Sequence, residues 1–172
     1  MENKQSQPHS QNRNSFGGPR PNRFRKERPK DDFKEKVLDL RRVTRVVAGG
    51  KRFRFRTTLI IGDGKGTVGV GLGKGVDVQA SIEKAKIDAR KNLLKINLKG
   101  RTIAHEVESK FSAAHVLIKP ADEGHGLKSG GAVRVVLSLA GVKDATSKCL
   151  GRTPNKLTNA LATMEALKQL RA

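Results

Sequence analysis

The chain has 172 residues, and its 36 lysines and arginines against 16 acidic residues give a formal net charge of +20. A chain this basic repels itself unless a polyanion neutralises it, and nucleic acid is the polyanion that fits best, because each phosphate contact releases a counterion. A cationic surface that only maintains solubility is the alternative. No run approaches the roughly 18 apolar residues of a membrane span, and residues 1–11 lack the apolar stretch of a signal peptide, so we expect a cytoplasmic protein without a membrane partner.

The cysteine and histidine pattern argues against metal and disulfide chemistry. Cys149 is the single cysteine, and the four histidines do not fall at zinc-ligand spacing with it. We therefore expect no metal and no other cofactor. Cys149 lies in a predicted strand, where a small buried hydrophobe is a simpler interpretation than a nucleophile.

Residues 1–32 are rich in Asn, Ser, Gln, Pro and Arg. They contain too few apolar side chains to offset the entropy of ordering, so we predict a disordered basic arm. Phe24 lies among cations in this arm, a composition that suits a base-stacking RNA contact and an ordinary solvated tail equally well.

The composition changes at Phe33. Residues 33–40 are predicted as a short helix and residues 43–48 as a strand. Gly49 and Gly50 then supply a turn, since glycine tolerates positive φ.

Residues 52–61 alternate with period two, as a strand with two different faces does. One face is predicted to pack into a core and carries Phe53, Phe55, Thr57, Leu59 and Ile61. The other face carries Arg52, Arg54 and Arg56. We interpret these arginines as RNA contacts, and a charged edge that prevents strand pairing is the alternative.

A glycine-rich strand follows the turn at residues 62–66. Residues 67–73 alternate again, with glycine at every second position from Gly69. A bare glycine face allows close backbone approach, which we expect at the RNA surface.

Residues 64–69 match the letters of the dinucleotide motif G-x-G-x-x-G. A strand follows this turn, however, so no helix N-terminus is available to hold a pyrophosphate. No nucleophile motif occurs elsewhere in the chain. We therefore expect neither enzymatic activity nor a small-molecule substrate.

Residues 78–96 are predicted as a helix with one apolar face. Its opposite stripe of Lys84, Lys91 and Lys95 fits RNA contact and simple solvation equally. The remaining segments are predicted in this order: strand 101–107, strand 113–119, helix 129–139, strand 142–150 and helix 154–170. Met164 falls on the apolar face of the last helix, as core filler.

Four stretches carry a resemblance to a known family. They are residues 45–55, 62–74, 119–124 and 130–142. In this order, over about residues 33–170, they resemble bacterial small-subunit ribosomal protein five.

The resemblance implies an α+β fold in two domains. The first is similar to double-stranded-RNA-binding domains, with the order α-β-β-β-α. The second is a two-layer α/β domain in which two helices cover the strands with a left-handed crossover. We accordingly expect a basic arm at residues 1–32, the first domain at residues 33–96 and the second at residues 97–172.

The resemblance also implies a function. Members of the family bind 16S ribosomal RNA at the junction of the head and body of the small subunit and contact small-subunit ribosomal proteins four and eight. They lie near the path by which messenger RNA enters, and they influence translational accuracy together with proteins four and twelve. The runner-up function is a general double-stranded nucleic-acid architectural protein or chaperone that acts off the ribosome.

The resemblance and the charge pattern together predict the RNA-binding residues. The loop at residues 47–51 matches a family hairpin that reaches RNA of the head and is associated with spectinomycin sensitivity. In this loop Ala48 stands where lysine is common and Lys51 where arginine is common. Phosphate contacts position RNA by its folded shape rather than by its sequence. The predicted contact residues are Arg42, Arg45, Gly49, Gly50, Lys51, Arg52, Arg54, Arg56, Lys65 and Lys74.

Overall fold

Two four-stranded sheets and three helices make up residues 33–170, the part of the chain that this computed structural model describes. The arm predicted for residues 1–32 lies outside the described residues. The elements confirm the predicted α+β class. No helix in the described part of the chain has the length and apolar character to cross a membrane.

The first sheet is antiparallel and has the spatial order β1-β2-β3-β4. Its strands are β1 (Lys34–Val47), β2 (Gly50–Gly62), β3 (Thr67–Gly75) and β4 (Leu93–Lys95), and helix α1 (Val78–Lys91) connects the last two. The helix predicted to reach residue 96 ends at Lys91 because the next residues pair with β3 as a strand.

The second sheet contains β5 (Val107–Phe111), β6 (Ala114–Pro120), β7 (Leu127–Lys128) and β8 (Ala145–Cys149), and its helices are α2 (Gly131–Ala140) and α3 (Lys156–Lys168). The spatial order is β5-β6-β8-β7, with β7 parallel to β8. The strand predicted at residues 101–107 is wrong, since only Thr102 forms an isolated bridge there and β5 begins at Val107. The predicted domain boundary at residue 96 falls directly after β4 and stays a prediction.

The segment that leads into the hairpin is a strand, so the short helix predicted at residues 33–40 is wrong. β1 pairs with β2 along its whole length, from Lys34 opposite Gly62 onward. A β-bulge after Val37 shifts the register by one residue and breaks the alternation. The apolar residues that result fall at helical spacing: Phe33, Val37 and Leu40.

The first sheet is covered on both faces over its central part. Leu59 and Ile61 of β2 pack against α1, and Thr57 and Ser81 join their hydroxyls at 2.7 Å on the same side. On the other face Ile60 belongs to a core shared with α2, α3 and the second sheet. The side chains of β2 therefore alternate between two faces, as predicted. In the C-terminal part of the strand, however, both faces are buried.

The glycine face of β3 lies against α1. A Cβ atom placed on Gly71 would stand 2.2 Å from the carbonyl oxygen of Ala85 and 2.3 Å from the backbone nitrogen of Ala89. Gly73 has the same relation to Ser81, at 2.2 Å. The prediction that this face approaches RNA is wrong, because the helix already occupies the space that the missing side chains leave.

The turn at residues 62–66 joins the first sheet to α2. The backbone N–H of Gly64 donates to the carbonyl of Leu139 at 3.0 Å, and that of Gly66 donates to Ala140 at 2.8 Å. These bonds satisfy carbonyls that the last turn of a helix otherwise leaves unpaired. The letters of the dinucleotide motif thus belong to a turn that is hydrogen-bonded to α2. A strand follows this turn, as the sequence predicted.

Asp63 holds this turn in shape. Its Oδ1 accepts hydrogen bonds from the backbone N–H groups of Lys65 at 2.7 Å and Thr67 at 2.9 Å. Burial acts to raise the pKa of the Asp63 carboxyl, but these hydrogen bonds outweigh it and hold the pKa below its ordinary value.

Asp144 ties two loops of the second half of the chain together. Its side chain is 1% exposed and accepts hydrogen bonds from the Gly126 N–H at 2.8 Å and from Arg101 Nε at 3.0 Å. The Gly126 hydrogen bond is the main cause that lowers the pKa of Asp144, and the Arg101 charge adds to it against the effect of burial.

The lowered pKa of Asp144 predicts an acid-sensitive contribution to stability. Such a carboxylate stabilises the fold above its unfolded pKa of about 3.9 and loses that contribution as the pH falls through the lower folded value. We expect Asp144→Asn to have a lower melting temperature than the wild type at pH 6. The difference in melting temperature should become smaller below about pH 4. Thermal unfolding at stepped pH measures this, with the exposed Asp122→Asn as control. A difference in melting temperature between Asp144→Asn and the wild type that is the same at every pH would contradict the prediction.

Candidate nucleic-acid interface

Strands β1 and β2 extend past the rest of the first sheet as a two-stranded hairpin. β3 pairs with β2 only as far as Phe55, whereas β1 pairs with β2 up to Val47 and Gly50. Residues 50–54 therefore reach roughly 17 Å beyond β3. Gly50 closes the hairpin with a φ of 129°, a conformation that glycine adopts without a Cβ penalty.

One face of the hairpin carries closely spaced arginines. Directly opposed residues of an antiparallel pair point to the same face of a sheet. Arg45 lies opposite Arg52. Arg41 lies opposite Arg56, which also pairs with Lys74 of β3. We call this set the arginine face: Arg41, Arg45, Arg52, Arg54, Arg56 and Lys74.

Few acidic side chains neutralise the positive charge of the arginine face. Arg41 Nε forms an ion pair with Asp39 Oδ2 at 2.6 Å. Within residues 33–170 the other members of the face have no ion pair. Like charges directly opposite each other destabilise a strand pair. An external polyanion would remove this repulsion and stabilise the hairpin.

The structure brings several of the predicted contact residues together on this face. They are Arg45, Arg52, Arg54, Arg56 and Lys74. Arg41 joins them, and the sequence reasoning missed it, because the helix predicted at residues 33–40 concealed the strand that contains it. Pairing Arg41 with Arg56 across the hairpin would have been the signal.

The other predicted residues lie elsewhere. Arg42 and Lys51 are on the opposite face of the hairpin, since they pair with Phe55 and Val46, and Gly49 is part of the exposed turn. Lys65 lies in the turn at the far end of β2, roughly 40 Å along the strand from the hairpin tip. A ligand that contacts the arginine face continuously therefore does not reach Lys65.

A cavity of about 190 Å³ lies at the base of the arginine face. Arg41 and Arg56 line it from the hairpin, and Asn155 lines it from the start of α3. Lys156 adds a further cation, with its Nζ 3.6 Å from Asp39 Oδ1. The cationic surface thus continues from the hairpin onto the beginning of α3.

The described residues offer no metal site. No group of three or more His, Cys, Asp or Glu side chains within residues 33–170 could hold a metal ion. Cys149 is a free thiol that is partly buried against the main core, which fits its interpretation as a small hydrophobe.

Two known protein families match this chain. The family described as "Ribosomal protein S5, N-terminal domain" matches residues 33–97, and "Ribosomal protein S5, C-terminal domain" matches residues 109–172. The chain belongs to the ribosomal protein S5 family. The S5 family resemblance drawn from the sequence is confirmed, and the arginine face lies within the N-terminal S5 match.

Relatives from Campylobacter jejuni support the same assignment to S5. The proteins of strains 81-176, 81116 and RM1221, each named "Small ribosomal subunit protein uS5", are 46% identical over 142 residues. The similarity covers 83% of this chain and 96% of each relative. S5 is a structural ribosomal family, so the prediction that the protein is not an enzyme is confirmed.

Proposed function

We propose that this protein is a structural component of the small ribosomal subunit in the cytoplasm, where it binds 16S ribosomal RNA at the junction of head and body. It thereby contributes to subunit assembly and to translational accuracy. Small-subunit proteins four and eight are its expected protein neighbours, and the path by which messenger RNA enters lies close to it. Its S5 membership and the family resemblance support these finer points of the proposal.

The observation that carries the proposal is the arginine face, in which only Arg41 has an acidic partner within residues 33–170. Guanidinium groups donate several hydrogen bonds from N–H groups that lie in one fixed plane, and this geometry matches the oxygens of phosphate. A row of them on a hairpin that stands clear of the sheet can follow a phosphate backbone. Because such contacts read shape rather than bases, the hairpin suits a folded RNA junction.

The cavity beside the arginine face extends this footprint. Arg41 and Lys156 share the single carboxylate of Asp39, and Arg56 has no ion pair within residues 33–170. Three cations against one anion leave a net positive site at the base of the hairpin. An RNA that contacts the arginine face would bring phosphates to the start of α3 as well.

Salt-resistant association with small subunits tests the proposal. A lysate that contains the protein is separated on a sucrose gradient at physiological salt, and the small subunits are then washed at rising salt. We expect the protein to comigrate with small subunits and to survive the wash, because contacts to one folded RNA add to the electrostatic attraction.

The alternative function predicts another distribution. A general duplex-binding protein would spread over all RNA in the gradient and leave at modest salt. A protein that stays at the top of the gradient, or spreads in this way, would contradict the ribosomal proposal.

A further inference from the structure

The hairpin face opposite the arginine face carries both apolar and basic side chains and is open to solvent. Phe53 is 48% exposed, and Leu40 and Val46 on the same side are also exposed. The sequence predicted Phe53 in the core with Leu59, but α1 covers only the far end of β2, so this prediction is wrong. We call this set the aromatic face: Leu40, Arg42, Val46, Lys51 and Phe53.

Cations border the exposed ring. The guanidinium of Arg42 lies over one face of the Phe53 ring, with its carbon 4.6 Å from the ring centroid, and this leaves the other ring face for a base. Lys51 lies opposite Val46 on the same face. Residues 40–56 contain no Asp or Glu, so this part of the hairpin presents only positive charge on either side.

An exposed aromatic ring among cations complements a specific chemistry. Nucleobases offer flat apolar surfaces next to phosphates, and they stack on aromatic rings and on guanidinium planes. An apolar protein surface would match Leu40 and Val46 but would leave Arg42 and Lys51 without partners. Charge complementarity therefore favours nucleic acid on this face as well.

We propose that Phe53 is a stacking site for an unpaired base of RNA, with Arg42 and Lys51 contacting the adjacent phosphates. The inference rests on the proposed function and specifies its ligand further. The arginine face contacts phosphates without regard to pairing, whereas the aromatic face requires a base that is free to leave its helix. The hairpin would thus bind at a site where paired and unpaired RNA meet.

A tryptophan at position 53 reports on stacking directly. The chain contains no tryptophan and no tyrosine, so Phe53→Trp introduces the only strong emitter. The full chain is titrated with a single-stranded RNA oligonucleotide and with an abasic oligonucleotide of equal length, which keeps the phosphates and lacks the bases. We expect RNA to quench the tryptophan emission and the abasic strand to leave it unchanged.

The matched control places the reporter outside the hairpin. Phe111 is 38% exposed at the end of β5, so Phe111→Trp has similar exposure without the neighbouring cations of the aromatic face. Neither oligonucleotide should quench it. Equal quenching of both reporters, or equal quenching by both oligonucleotides, would overturn the stacking proposal.

An affinity comparison separates this inference from the proposed function. Phe53→Leu keeps an apolar side chain and removes the ring, so we expect roughly a fivefold or larger loss of affinity for the base-containing strand and none for the abasic strand. The double variant Arg54→Gln/Arg56→Gln is titrated alongside it, with circular dichroism as the check on folding. If the arginine variant weakens binding and Phe53→Leu does not, stacking is overturned and the proposed function stands. If the arginine variant also binds as wild type, the proposed function fails.

Discussion

Replacing Arg52, Arg54 and Arg56 by glutamine is expected to reduce RNA affinity by roughly tenfold per lost phosphate contact at 0.1 M salt. All three side chains project from the arginine face, where they have no acidic partner within residues 33–170. Each contact that is lost leaves one fewer counterion to release on binding. The slope of log affinity against log salt should therefore fall by roughly two to three for the triple variant.

A charge-matched variant tests whether position or total charge decides this loss. Lys110→Gln/Lys119→Gln/Lys148→Gln removes the same charge from the second sheet, where the three lysines are exposed. We expect this control to bind a 16S ribosomal RNA fragment with nearly the affinity and salt slope of wild type. Equal losses in the two triple variants would mean that the arginine face has no special part in binding.

Gly71→Ala is expected to lower the free energy of unfolding by about 3 kcal/mol, the upper part of the usual range for an overpacked core. The added methyl group would meet the backbone of Ala85 and Ala89 in α1, at 2.2 Å and 2.3 Å. Neither neighbour is a flexible side chain, so the helix itself must move away from the sheet. Urea unfolding gives the free energy, and a fall of roughly 10 °C in melting temperature should accompany it.

The same substitution at another glycine provides the control. Gly131 begins α2, and a Cβ there would have no atom within 4 Å. Because alanine favours helix over glycine, Gly131→Ala should be neutral or slightly stabilising. If Gly71→Ala were as stable as wild type, the close packing of α1 on β3 would be incorrect.

The hairpin strands could be predicted because their periodicity is local. Arg52, Arg54 and Arg56 alternate with Phe53 and Phe55 in the sequence, and alternation of this kind fixes which side chains share a face. What covers each face is not local information. Leu59 is covered by α1 and Phe53 is not, since the helix returns over only one end of β2.

The errors near the start of the first domain share one cause. The β-bulge after Val37 gives a strand the apolar spacing of a helix, and the pairing with β2 overrides that local pattern. Once the predicted helix is replaced by a strand, Arg41 falls into the arginine face. One extra residue in the register thus concealed both the strand and a member of the candidate site.

The glycines of β3 show a second limit on what the sequence can predict. Their alternation correctly predicts a close backbone approach, but it does not identify the partner. The structure identifies that partner as α1, because the backbone of the helix at Ala85 and Ala89 lies directly against Gly71. Small residues on both surfaces would have been the available signal.

Arginine-selective chemical modification followed by mass spectrometry tests the central claim most directly. The protein is modified once in the free state and once within isolated small subunits, and the reactivity of each arginine is compared. We expect Arg45, Arg52 and Arg54 to react readily in the free protein and to be strongly protected in the subunit, since phosphates would then occupy their guanidinium groups. Full reactivity of these arginines within the subunit would contradict the assignment of the arginine face to ribosomal RNA.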